Sequence, residues 1–210
     1  MDHDDFQTEP VRGLPEALPE GERILWQGQP AVWPLAMESL SLKWVAGWFG
    51  LIFLWRTIAA ADAGLVQAAT DASFYLALGA IVCLLLLLTA WAQAKSTVYT
   101  ITNRRVAMRI GAALTMTLNL PFRQIENANL ALRKDGTGTI ALQMLPGNMQ
   151  IAYVMLWPHV RPWRMRRVEP ALRCVPDAQR VARILAEAAE TEVSTPVITT
   201  TAPAGAVAAE

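Results

Sequence analysis

Residues that carry chemistry are scarce in this sequence. Its 210 residues include two cysteines and two histidines, His3 and His159. Cys83 sits inside a long apolar run and Cys174 lies far beyond it. A disulfide between them is not expected, and no Cys/His spacing fits a metal site. A nucleophile elbow and a phosphate loop are also missing. Gly136 and Gly138 read as a hairpin turn, because no helix start follows them. These absences argue against an enzyme, so no catalytic residue, cofactor or metal is expected. Basic residues are scarce at the start, where residues 1–22 hold seven acids and three prolines. That stretch is expected neither to be a signal peptide nor to form a helix or a core.

The most informative absence is charge in residues 74–92, FYLALGAIVCLLLLLTAWA. As a helix this run would be roughly 28 Å long, close to the roughly 30 Å hydrocarbon core of a bilayer. It reads as a transmembrane helix rather than the central helix of a large globular core. Before it, WVAGWFGLIFLWRTIAAA (44–61) carries one charge, Arg56. Near the end of a span an arginine can snorkel to the headgroups; the alternative is a role facing a partner helix or Asp71. Residues 62–73 hold Asp62 and Asp71 and no base, whereas the opposite flanks hold Lys43, Lys95, Arg104 and Arg105. The positive-inside rule then places the short loop outside and both termini in the cytoplasm. Trp44 and Trp91 anchor one interface, and Phe74 and Tyr75 mark the other.

What is present divides the chain. Residues 1–42 carry a net charge of −6 and residues 93–190 one of +8, within a total of zero. A mean hydropathy of +0.27 fits a few spans and one soluble domain of about 100 residues. The expected organisation is an acidic arm (1–42), a two-helix transmembrane hairpin (43–92), a cytoplasmic domain (93–190) and a low-complexity, disordered tail (191–210). Within the arm, GERILWQGQP (21–30) places Ile24, Leu25 and Trp26 as an apolar knot. It is either a strand packed on something else or a docking peptide. Residues 34–42 are moderately amphipathic and suited to lie on the membrane surface.

After Ala92 the period changes to two. STVYTIT (96–102), RVAMRI (105–110), ALTMTLNL (113–120), a stretch near 126–133 and TIALQML (139–145) read as strands. Asp135-Gly136 is a hairpin signal. Residues 139–157 are apolar enough to imitate a third span, but Pro146, Gly147, Asn148, Gln143 and Gln150 favour two strands instead. MLWPHVRPWRMRRVE (155–169) mixes Trp157 and Trp163 with Arg161, Arg164, Arg166 and Arg167. It can hold anionic headgroups or an acidic partner, or be an edge strand protected by charge. Nucleic acid is not expected. Finally Asp177 is a plausible N-cap for DAQRVARILAEAAE, whose Val181, Ile184, Leu185 and Ala188 form one apolar face that would close a β core.

Strands ending in one amphipathic helix outline a membrane α-helical hairpin plus a mainly-β pleckstrin-homology-like barrel with a C-terminal helix. Glu22-Arg23-Ile24-Leu25-Trp26-Gln27-Gly28 resembles the lead-in of the bacterial version of such proteins, and Tyr99-Thr100-Ile101-Thr102-Asn103-Arg104-Arg105 its first hairpin. Residues 9–28, EPVRGLPEALPEGERILWQG, resemble the N-terminal signature of the PuhB-type photosynthetic complex assembly proteins of purple phototrophic bacteria. The similarity runs from about residue 5 to 190. This resemblance implies a non-catalytic protein of the inner, intracytoplasmic membrane. It would assist assembly of the reaction centre with its core light-harvesting antenna, as a homodimer among membrane lipids. The family is often drawn with three spans, where the residues here give two. Small residues (Ala46, Gly47, Gly50, Ala77, Gly79, Ala80) offer surfaces for partner helices, or serve only to pack the hairpin on itself. A pigment carrier is disfavoured, because neither span holds a histidine to ligate bacteriochlorophyll.

Overall fold

The computed structural model describes residues 10–112, 115–147 and 151–194. Among these residues seven strands form two antiparallel sheets. The first has the order β1 (Ile24–Gly28), β2 (Val98–Thr102), β3 (Arg105–Ile110) and β4 (Met116–Pro121). The second is β5 (Ile125–Leu132), β6 (Gly138–Met144) and β7 (Ala171–Val175). Tyr99, Ile101, Val106, Met108, Leu120, Ile140, Leu142 and Leu172 fill the space between them. One further helix, Ala178–Ser194, lies against this core through Val181, Leu185 and Ala188, with Ile184 half-buried beside them. These positions recur every three or four residues, so one stripe of the helix closes the barrel as expected. The Asp177 carbonyl accepts the first helical bonds, from Arg180 and Val181 N–H at 2.9 and 3.1 Å.

Between β1 and β2 the chain leaves the barrel as helices. They are α1 (Val32–Glu38), α2 (Leu42–Ala59) and α3 (Leu65–Ser96). α2 and α3 form a hairpin closed by a short turn at Ala61–Ala63. The buried side of α3 is made of small residues, Ala68, Ala72, Gly79, Ala90 and Ala94. A Cβ on Gly79 would stand 2.7 Å from the Cβ of Phe49, so glycine is what lets α2 lie this close. Most of the larger apolar side chains of the hairpin point outward, among them Trp48, Leu51, Trp55, Phe74, Leu84 and Leu88. So much exposed apolar surface calls for lipid or protein cover. α3 is long and apolar enough to span a membrane. α2 is shorter, and it meets α1 at a bend of 56°.

Several expectations change. The strand pattern at 21–30 is realised: β1 pairs with β2, with Gln27 opposite Thr100 and Gly28 opposite Tyr99. Leu25 and Trp26 therefore pack partly into the core rather than forming a free docking peptide. The motif before β1 and the motif after α3 touch. Glu22 pairs with Arg105 at 2.8 Å, and the Asn103 side chain accepts from the Arg23 N–H at 2.9 Å and donates to the Gly21 carbonyl at 3.0 Å. Proline and acid do keep helix out of residues 10–22, but not burial. Leu14 is buried, and Gly13 sits so close to Val98 that a Cβ there would meet it at 2.6 Å. That contact covers Val98, the first residue of β2, a strand buried on both sides instead of alternating.

The described residues of 139–157 form neither a third span nor two strands. They hold β6 and one helical turn, α4 (Tyr153–Leu156), which ends where Pro158 cannot continue it. α1 does not lie free on a membrane surface; Leu35 packs against Ala94 and Cys174, and Ala36 against Ala90. Residues 113–114, Asn148, Gln150, the first nine residues and the tail from 195 lie outside the described residues.

Candidate functional site

α3 runs into β2 with Thr97 alone between them, so helix and barrel are joined almost rigidly. A buried polar chain reinforces this junction. The Thr97 hydroxyl donates to the Gln93 carbonyl at 2.7 Å, which leaves its oxygen to accept from His159 Nε2 at 3.2 Å. His159 Nδ1 then accepts from the Tyr99 hydroxyl at 2.6 Å, and Tyr99 accepts the Arg173 N–H at 3.2 Å. Every donor finds an acceptor only if the imidazole is neutral and protonated on Nε2. Burial, and then the charge of Arg173, push the imidazole down to about 3; burial also raises the Tyr99 hydroxyl.

Arg173 breaks an otherwise apolar strand, ALRCV, and reaches toward α1. It donates to the Val160 carbonyl at 3.0 Å and to the Ser39 hydroxyl at 2.9 Å, and it pairs with Glu38 at 3.2 Å. Arg133, at the start of the β5–β6 turn, pairs with the same Glu38. Two guanidinium groups thus share one carboxylate. Arg173 Nε is buried and has no hydrogen-bond partner among the described residues. Cys174 lies beside this cluster, its thiol pushed up by burial.

Glu38, Ser39, Arg133 and Arg173 line a cavity of about 740 Å³ between α1, the first turn of α2 and the loop after α4. Its lining is also aromatic, with Trp33, Trp44, Tyr153, Trp157 and Trp163. Lys43, in the first turn of α2, lines it too, its ammonium 5.9 Å from the ring centre of Trp44. At the facing end of α3, Lys95 lies 5.6 Å from the ring of Trp91. The two Lys–Trp pairs make a band at one end of the hairpin, the arrangement favoured where helices leave a bilayer.

The basic segment 155–169 is a loop rather than an edge strand. It is closed at its base by Val160 pairing with Pro170 and by the Arg161 N–H donating to the Glu169 carbonyl at 2.9 Å. Its arginines are mostly engaged. Arg161 (2.9 Å) and Arg164 (3.7 Å) both pair with Glu169, which is 1% exposed, and Arg167 pairs with Glu126. Arg166 is exposed and forms no ion pair among the described residues. Trp163 is 89% exposed at the tip, in a left-handed backbone conformation.

The structure brings Trp157, Trp163 and Trp44 to one cavity, and Arg166 and Arg167 to a smaller hollow of about 420 Å³ beside it. Leu25 and Trp26 belong to β1, and Arg56 lies exposed in the last turn of α2. Asp71 takes a hydrogen bond from Gln67 at 2.9 Å and no ion pair with Arg56 among the described residues. Sequence reasoning missed Glu38, Arg133 and Arg173, which come together only through the fold. A charge inside the apolar run ALRCV was the one local signal.

Residues 45–189 match the bacterial PH domain family. The chain belongs to this family. In this chain the β1 strand lies upstream of the matched region, and the helical hairpin falls within it apart from the first residues of α2. A protein of Rhodobacter capsulatus is 44% identical over 212 residues, covering 100% of this chain and 99% of its own length. It is described as an uncharacterized 23.7 kDa protein in the puhA 5′ region. No solved structure matches this bacterial PH domain protein.

Proposed function

We propose that the protein is a PuhB-type, non-catalytic assembly factor of the bacterial inner (intracytoplasmic) membrane. On this reading both termini are cytoplasmic, and the chain works as a homodimer that contacts reaction-centre and core light-harvesting subunits transiently. The observation that carries the reading is the full-length relative in a photosynthesis gene neighbourhood. The architecture is suited to the task. An apolar hairpin with outward-facing tryptophans offers contacts within the bilayer, and a barrel joined stiffly to it offers contacts at the surface. A pigment-carrier role finds little support, since both ring nitrogens of His159 are taken by Tyr99 and Thr97.

The test is a clean deletion in a phototrophic host. Assembled core complex falls while pigment synthesis continues, and affinity purification of the tagged protein in mild detergent yields sub-stoichiometric reaction-centre or antenna subunits. Normal core-complex levels in the deletion strain would sink the proposal.

A further inference from the structure

We propose that the cavity at the membrane junction is a seat for one anionic phospholipid, drawn from the leaflet on the barrel's side. Three features of the cavity point to this ligand. The first is charge. Arg133, Arg173 and Lys43 stand against Glu38 and Asp135, one positive charge in excess. Glu38 is already shared between two arginines, so an incoming phosphate meets guanidinium groups that lack a full complement of acids.

The second is amphipathy. The same lining holds four of the chain's eight tryptophans, Trp33, Trp44, Trp157 and Trp163, all substantially exposed to water. Indoles in this number, open to solvent around one hollow, suit a ligand with a polar head and an apolar body. Free phosphate would leave those rings unused.

The third is continuity with the membrane-spanning hairpin. Trp44 and Lys43, in the first turn of α2, line the cavity, so it lies at the level of the Lys–Trp band at that end of the hairpin. The loop tip lends it exposed Trp163 and Met165, which alternate along the chain with exposed Arg164 and Arg166. Such a tip can set its apolar residues among the headgroups while its bases meet anionic lipid, each worth about 1 kcal/mol near the surface. The inference goes beyond the assembly role and stands or falls apart from it.

The experiment uses the full chain in mild detergent. Dihexanoyl-phosphatidylglycerol, dihexanoyl-phosphatidylcholine, inorganic phosphate and an acidic peptide are titrated in turn, read by native mass spectrometry and by the rise in unfolding temperature. The expected result is one phosphatidylglycerol per chain, bound several-fold tighter than phosphatidylcholine, with no response to phosphate or peptide. Lys43→Ser weakens binding about fivefold, the equivalent of one surface charge. Trp163→Ala weakens it as well, and Arg167→Ser, whose partner is Glu126 outside the cavity, does not. Lys43 and Trp163 are exposed, so both variants fold. Equal binding of the two lipids, protection by phosphate alone, preference for the peptide, or wild-type affinity in both cavity variants would each overturn the proposal.

Discussion

His159 is held between two hydroxyls in the barrel interior, and its protonation is tied to folding. Its folded pKa of about 3 lies below the ordinary 6.5. Between these values the unfolded chain takes up a proton that the folded chain refuses. This contribution is therefore fully present above about 6.5 and is lost progressively as pH falls toward 3. In His159→Gln the unfolding temperature, measured in detergent, is lower at neutral pH but falls less steeply over that window than in the wild type. Coincident slopes would show that the imidazole is not linked to folding. Little of this was legible in the sequence. Thr97, Tyr99, His159 and Arg173 sit in three separate segments, and the pattern of each segment alone reads as loop or strand. The charge of Arg173 inside ALRCV was visible, but its partners on α1 were not.

Among elements, the hairpin divides its glycines between two uses. Gly79 faces Phe49 at a distance no side chain tolerates, whereas Gly47 and Gly50 have nothing within 4 Å. Gly79→Val forces α2 and α3 apart and destabilises the detergent-solubilised protein by about 1–3 kcal/mol, as overpacking does. Gly50→Val leaves the unfolding temperature nearly unchanged. If the open face of α2 receives a partner helix, that variant also recovers fewer antenna and reaction-centre subunits in the pull-down. Equal thermal losses in the two variants would mean that both glycines serve the same packing. Elements with a clean period were legible: β2, β3, β5, β6 and the C-terminal helix all lie where alternation or the three-to-four spacing placed them. β7 was missed because a basic loop precedes it and a charge interrupts it. The start of α3 was placed nine residues late, since helix hydrogen bonding continues past the apolar run to Leu65, aided by Gln67 bonding to Asp71.

For the molecule as a whole, the helical hairpin is an insertion between the first two strands of a barrel. Both halves of this arrangement were legible in the motifs at 22–28 and 99–105, but nothing local could reveal that Glu22 and Arg105 would meet. A single cysteine placed at Asp62, in a background with Cys83 and Cys174 replaced by serine, is expected to react with a membrane-impermeant maleimide added to intact cells. One at Glu20 or Asp135 reacts only after the cells are opened. Labelling of all three from outside, or of none, would contradict the proposed orientation.

The pairing of β1 with β2 also counts crossings. Gly28 and Tyr99 are ladder neighbours, so both must lie on the same side of any bilayer the chain traverses. A path that leaves from one side and returns to it crosses an even number of times. If α3 spans the membrane, the stretch between β1 and α3 must supply the return leg, and α2 is the helix there to supply it, short as it is and burdened with Arg56. One crossing, or three, would tear the first strand out of its sheet. The hydrogen bonds of a β-ladder here fix the parity of any membrane crossing between the two strands, a number that hydropathy alone leaves open.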